Sequence, residues 1–356
     1  MFDRYVRYSD DVEKIGDDEV ETAEKIIKVM SKGGEIVEKR EDHALRTSHA
    51  KAHALATGEL RVSDGLPEEL RQGLFAKANT YPVIIRMAHV PGEFLDDRRV
   101  STPRGFAMKV LEVEGPTLHG DQTQDWVLDT GETFIARSAK TFVAEITQTE
   151  MATPMPEGVK QAVSTTSRVT NAALNAIGLN SDVLDFYGHP KLNPLTETYF
   201  SQTPLRFGDY IAKLRVRPVS FDPDQQIDIQ SENGLRETVA PELRARGAEY
   251  AVEVQLCTDL DKMPVENATA HWSQEESPYR EVARLVIKPQ DADPTGPHRG
   301  DEERLSFSPA HSLEAHRPLG SVNRARMRVY KVMADKRRQA NNVPTGEPTN
   351  AEPVPA

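Results

Sequence analysis

A single cysteine, Cys257, occurs in 356 residues, which excludes an internal disulfide framework and any zinc site built from several thiolates. No apolar run approaches the ~20 residues that span a bilayer, and the N-terminal MFDRYVRYSDDVEK lacks the charged-then-apolar pattern of a secretory leader. A chain without a membrane span is expected, and the lone thiol agrees with a cytoplasmic setting. Positive charge is also short: 44 Lys and Arg stand against 56 Asp and Glu, a formal net charge of −12. No nucleic-acid partner is expected, because phosphate binding needs clustered cations. One segment runs against this balance, Asn323 to Arg338 (NRARMRVYKVMADKRR), which reads as a local anion patch or, more commonly, as a solvated helix with cations toward its C-terminal end. Also missing are a GxSxG elbow, a GxxxxGK[ST] phosphate loop and a GxGxxG fingerprint.

What is present is a length and a hydrophobic share, 38%, sufficient for one large domain or two moderate ones. Asp17 to Lys32 carries Val20, Ala23, Ile27 and Met30 at helical spacing behind acidic residues, and Gly33 and Gly34 are expected to end that helix. From Ala50 to Ile146 the pattern becomes β-rich, with YPVIIRMAHV, RGFAMKVLEVEG and DWVLD separated by Pro and Gly turns. Met151 to Asp182 is less periodic and predicts helices and loops outside the sheet. Alternation returns in DYIAKLRV and EYAVEVQL, where Tyr210, Ala212, Leu214 and Val216, and then Tyr250, Val252, Val254 and Leu256, share one face. Strands not interleaved one by one with helices argue against a doubly wound fold. An α+β chain with an antiparallel β core and helices packed outside it fits better. The Pro-rich Asn341 to Ala356 predicts disorder.

RTSHAKAHALATGEL, Arg46 to Leu60, sets His49 and His53 four residues apart. As a metal pair they would need a helix and a third ligand, yet the segment lacks the glutamate of HExxH and Gly58 suggests a turn into a strand. The alternative is two histidines at the edge of a β core. Cys257 sits at a predicted strand end with no adjacent histidine, which suits a buried structural thiol. Acid pairs such as Asp96 and Asp97 suit solvated loops.

Several stretches, in order, resemble the haem catalase superfamily. Arg46-Thr-Ser-His49-Ala-Lys is similar to its distal Arg-Val-Val-His-Ala-Lys, Tyr81-Pro-Val-Ile-Ile-Arg86 to the strand ending in its second haem-side arginine, and Ser101-Thr-Pro-Arg104-Gly-Phe-Ala-Met-Lys109 to its Arg-Asp-Pro-Arg-Gly-Phe-Ala-Val-Lys. Gln255 to Pro264 and Arg317-Pro-Leu-Gly-Ser-Val-Asn323 resemble later blocks. The resemblance implies a catalase-like antiparallel β-barrel with surrounding helices. It divides the chain into a helical arm at 1–40, a catalase-like core at 41–340 and a tail at 341–356.

The resemblance also implies haem, with His49 moving a proton on bound peroxide and Arg46 and Arg86 holding propionates. Arg317 would add a third such contact. The family's axial ligand comes from Arg-x-x-x-Tyr, in keeping with tyrosine ligation of catalase haem. Here the corresponding stretch is Arg304-Leu-Ser-Phe-Ser308, and Ser308 would be a poor ligand. His311, with His316 behind it, is the replacement candidate. Asp129 stands where the family has an asparagine, so an acceptor replaces an amide donor, and Ala88 stands for a serine. The expected function is a haem protein acting on hydrogen peroxide or an organic hydroperoxide. The alternative is a haem-free catalase-fold binding or structural protein. Assembly of a homo-oligomer through the N-terminal arm is also implied.

Overall fold

The computed structural model describes residues 4–152, 154, 158–161, 188–296 and 299–344. Eight antiparallel strands close into a barrel: β1 (Ala52–Val62), β2 (Thr80–His89), β3 (Arg104–Leu111), β4 (Thr123–Thr130), β5 (Tyr199–Phe200), β7 (Tyr210–Pro218), β8 (Ala248–Leu256) and β9 (Arg280–Ile287). The ring closes where Leu60 of β1 pairs with Leu285 of β9, and the short β5 links β4 to β7. A further strand, β6 (Leu205–Phe207), adds to β7 as a hairpin. Closure removes the edges that an open sheet would expose.

The alternation read from sequence sets the two faces of each strand. Val83, Ile85 and Met87 of β2, Phe106, Met108 and Val110 of β3, and Trp126 and Leu128 of β4 join the interior cluster with Leu214, Val216, Tyr250 and Val252. Arg86, Ala88, Gly105, Ala107, Lys109, Asp125, Val127 and Asp129 alternate with them and point outward. This outer face is buried in its turn, because helices cover it.

Those helices are α1 (Glu19–Glu41), α2 (Ala139–Ala152), α3 (Gly234–Arg246), α4 (Arg299–Arg304) and α5 (Gly320–Ala340). Ala23, Ile26, Ile27 and Met30 of α1 pack against Ala325, Val329 and Met333 of α5, while Val20 is exposed. Gly33 and Gly34 do not end α1, contrary to expectation. A Cβ on Gly34 would lie 2.9 Å from Thr47 Cγ2, so the glycine lets the helix lie close against the loop that carries Arg46 and His49. That close approach offsets a helix penalty of about 1 kcal/mol.

The basic segment Asn323 to Arg338 lies within α5, and acids from elsewhere in the chain absorb its charge. Arg324 meets Glu13, Glu19 at 2.6 Å and Glu266 at 3.0 Å; Arg328 meets Glu24, and Arg337 meets Glu303 at 3.5 Å. The run is a helix, but not the solvated one expected, since Arg337 and Arg338 are buried. Ahead of α1, the chain around Val6 and Tyr8 lies along its own barrel, with the Val6 N–H donating to the Cys257 carbonyl at 2.9 Å and that of Tyr8 to the Asp209 carbonyl at 2.7 Å. Cys257 is buried beneath them, and burial pushes its thiol up to about 12. Among the described residues no helix is long and apolar enough to cross a membrane. Most of Met151 to Asp182, and the tail from 345 on, lie outside the described residues.

Candidate functional site

Two adjoining cavities lie between the outer face of β2 to β4 and the helices α1 and α5. The larger, about 880 Å³, runs past His49, Asp129, Phe134, Phe142, Ala325, Arg326 and Tyr330. The smaller, about 100 Å³, shares His49 and Tyr330 with it and reaches Arg46, Arg86 and Arg337. The barrel side of the smaller one is made of Ala88, Gly105, Ala107 and Val127, small residues that leave the wall shallow.

His49 stands on that wall in a left-handed backbone conformation, φ +57°. Such a conformation in a non-glycine residue costs about 1 kcal/mol or more. Two bonds hold it there: its N–H donates to the Val90 carbonyl at 2.8 Å, and its carbonyl accepts from Arg86 Nη2 at 2.8 Å. The imidazole then lies over Gly105, where a Cβ would come within 2.4 Å of Nδ1. Nε2 is 3.6 Å from Asp129 Oδ1, and that oxygen is buried without a hydrogen-bond partner among the described residues. Burial lowers the His49 pKa, Arg86 and Arg326 lower it further, and Asp129 opposes them. The ring is therefore neutral near pH 7 and able to accept a proton.

Facing this wall, α5 presents Tyr330. Arg326 Nη2 donates to its hydroxyl at 3.3 Å, the two residues sharing one helix face at a spacing of four. Burial works against the Arg326 charge, but Tyr330 and Asp129 outweigh it and its pKa stands above the ordinary value. Arg326-Met-Arg-Val-Tyr330 is itself an Arg-x-x-x-Tyr. The Arg-x-x-x spacing of Arg304 to Ser308 thus recurs one helix further on with a tyrosine at its end, and that repetition is the signal present in the sequence.

At the far end of the smaller cavity Arg46, Arg86 and Arg337 gather around α4. Arg86 donates to the Glu302 carboxylate from Nε at 2.9 Å and Nη2 at 2.8 Å. Arg46 Nη2 donates to the carbonyls of Glu302 at 2.8 Å and Leu305 at 2.9 Å. Burial favours the neutral acid at Glu302, yet Arg46, Arg86 and Arg337 hold its carboxyl below the ordinary range. Glu302 and Arg337 carried no signal in sequence.

The other candidates lie elsewhere. Arg304 is half exposed beside Asp301 at 3.6 Å, because the short α4 turns its side chain outward. Arg317 is drawn to the N-terminal segment by Tyr8 and by Glu13 at 3.1 Å. His311 lines neither cavity: its Nδ1 is 3.0 Å from Asp125 Oδ2 and 3.3 Å from Lys109 Nζ, with its ring stacked on His119. Ser308, also outside both cavities, donates its N–H to Asp125 at 2.9 Å. His316 is a core residue whose Nε2 accepts from the Leu74 N–H at 2.9 Å. His53 is buried against His89, ring centroids 6.0 Å apart, and no metal-binding cluster is found among the described residues.

No protein-family model and no curated protein sequence matches the chain. Solved structures do. A fungal catalase superposes with a TM-score of 0.60 over 85% of this chain at 19% identity. Catalase A from Saccharomyces cerevisiae gives 0.57 over 84% at 17%, and a bacterial catalase 0.58 over 87% at 18%. The chain spans 62% of the length of each. The closed eight-stranded barrel, its covering helices and these superpositions together establish that the chain has the catalase fold.

Proposed function

We propose that the protein binds haem between His49 and Tyr330 and acts on hydrogen peroxide or an organic hydroperoxide. The observation that carries this reading is the Tyr330 phenol, bonded to Arg326 and lining the same cavities as His49. A phenol that accepts a hydrogen bond from a guanidinium is the kind of oxygen donor that tyrosine ligation of haem uses. Arg46, Arg86 and Arg337 supply cations for propionates. Haem, if bound there, would supply the two electrons that cleave the O–O bond, and a second peroxide molecule or an organic reductant would have to return them. His49 Nε2 takes the proton from the hydroperoxide and returns it to the departing oxygen, which leaves as water or an alcohol. Asp129, an acceptor only, supports the ring while it carries that proton. Gly105 keeps the imidazole flat on the wall.

A haem-free binding protein is the second reading, and one observation favours it: Glu302 already gives Arg86 a carboxylate partner. Absorption spectra after addition of hemin separate the two. A Soret band in the parent that changes shape in Tyr330→Phe supports haem held by this phenol. No band in either protein would leave the haem-free reading standing. If haem binds, oxygen release from hydrogen peroxide compared with turnover of cumene hydroperoxide identifies the substrate.

A further inference from the structure

The larger cavity has two unlike ends. Toward α1, α2 and α5 its lining is hydrocarbon, with Ile26, Ile146 and Val322 beside the Phe134 and Phe142 rings, whose centroids lie 5.0 Å apart. The other end, where the chain leaves β4 at Thr130, is polar and carries two histidines, each bonded to a carboxylate. His271 meets Glu132 at 2.6 Å with its side chain 61% exposed, which puts this pair at the mouth. His189 lies deeper. Its Nε2 is 2.5 Å from Glu197 Oε1, and the two side chains are 14% and 3% exposed. Glu197 does not line the cavity, so the carboxylate backs the ring.

An ionised carboxylate only accepts hydrogen bonds, so Glu197 holds the proton of a neutral His189 on Nε2. Nδ1, which has no hydrogen-bond partner among the described residues, is then an acceptor. An O–H group of a ligand can fill that position, and a carboxylate cannot. Charge along the wall points the same way. Asp129, Glu132 and Glu145 line the cavity, with Arg326 as its one lysine or arginine among the described residues, and that guanidinium is engaged with Tyr330. An anionic head would be taken out of water against charges of its own sign. The volume, about 880 Å³, far exceeds what hydrogen peroxide fills, since a water molecule takes only about 30 Å³ of liquid.

We infer that the larger cavity is a site for an uncharged molecule with an apolar body and an O–H head, the body lying among α1, α2 and α5 and the head donating to His189 Nδ1. Joined to the haem reading, on which this step alone rests, the site makes the substrate an apolar alkyl hydroperoxide and not a fatty-acid anion.

The test omits hemin. N-phenylnaphthylamine, an uncharged probe that brightens in apolar surroundings, is bound first and then displaced by dodecanol, methyl dodecanoate or dodecanoate at pH ~8, where an ordinary histidine is neutral. Dodecanol should displace it at a concentration at least about tenfold below that of dodecanoate, because the anion finds no free cation. The methyl ester, uncharged but with no O–H to donate, should fall between them. His189→Phe keeps a ring and loses the acceptor; it should bring dodecanol down to the ester, a loss of roughly threefold to tenfold for one hydrogen bond. Phe142→Ala should weaken all three ligands by a similar factor, since they share one body. Circular dichroism checks that each variant is folded. Dodecanoate as effective as dodecanol, no displacement by any ligand, or a His189→Phe protein that keeps its preference for the alcohol overturns the inference. So does a Phe142→Ala protein that binds all three unchanged. A parent that prefers the alcohol yet gives no Soret band with hemin would sink the haem reading and leave this site intact, and a Soret band beside equal affinities would do the reverse.

Discussion

Two buried charge clusters lie on the outer face of the same strands, and they differ in whether anything is left over. In the first, Lys109 Nζ meets both oxygens of Asp125 at 2.8 Å, with neither side chain exposed at all. His311 and the Ser308 N–H fill the remaining acceptor positions on Asp125. In the second, Arg46, Arg86 and Arg337 contact Glu302 and Glu303 and also border a cavity. A closed cluster fixes which loop packs where, whereas charges that border empty volume are where a ligand is to be sought. His311 belongs to the closed cluster, where its Nδ1 lies 3.0 Å from Asp125 Oδ2 and 3.3 Å from Lys109 Nζ.

The largest effect should come from opening the closed cluster. Asp125→Ala strands Lys109 without its counter-charge and should cost about 3–5 kcal/mol in urea unfolding. Replacing both members, Lys109→Met with Asp125→Leu, should recover most of that loss, since an apolar pair of similar size needs no partner. A double variant no more stable than Asp125→Ala would mean that the loop anchor to Ser308 and His311 matters more than the charge.

A neutral closed site gives the next effect. Burial pulls His316 down to about 4 from 6.5, so the unfolded chain takes up this proton before the folded one does. The stability involved is complete above pH ~6.5 and is lost as pH falls toward the folded value. The loss between pH 7 and pH 4.5 should be about 2–3 kcal/mol from this ring. His316→Gln should flatten that part of the pH dependence. An unchanged acid slope in the variant would assign it to other buried histidines such as His53 and His89, whose pKa values burial also lowers.

Much of the barrel was legible because a half-buried strand writes its two faces into every second residue, as β7 and β8 do. His49, Arg46 and Arg86 were legible as an ordered set of local blocks. Tyr330 was not, although its motif was in plain view. A spacing of four has meaning only once the helix face it shares is known. Gly34 misled for a related reason: local propensity says stop, and only the approach of Thr47 explains why the helix continues. Glu302 and Arg337 were invisible because their contacts join segments far apart in the chain.

Gly105 separates the wall of the open site from its charges. Gly105→Ala would drive a methyl group into the His49 ring, and a displaced acid/base group costs about a hundredfold in turnover. Stability should fall by only ~1–3 kcal/mol, the usual cost of overpacking. Loss of peroxide turnover with an unchanged hemin affinity is the expected pair of readings. Unchanged turnover would remove His49 from the chemistry.

The smallest stability change is also the sharpest test of the contrast. Tyr330→Phe deletes a hydroxyl that faces a cavity, and Arg326 keeps Asn323 Oδ1 at 3.3 Å and the Val127 carbonyl at 3.4 Å. The loss should be about 1 kcal/mol or less. His311→Ala removes a partner of Asp125 inside the closed cluster and should cost more, about 1–3 kcal/mol. The spectra should run the other way, with the hemin Soret band altered in Tyr330→Phe and untouched in His311→Ala. A crossed pattern of this kind cannot arise from general damage to the fold, because the variant that disturbs folding more is the one that leaves the cofactor alone. The reverse pattern would return the iron to His311, and with it the loop that Asp125 holds.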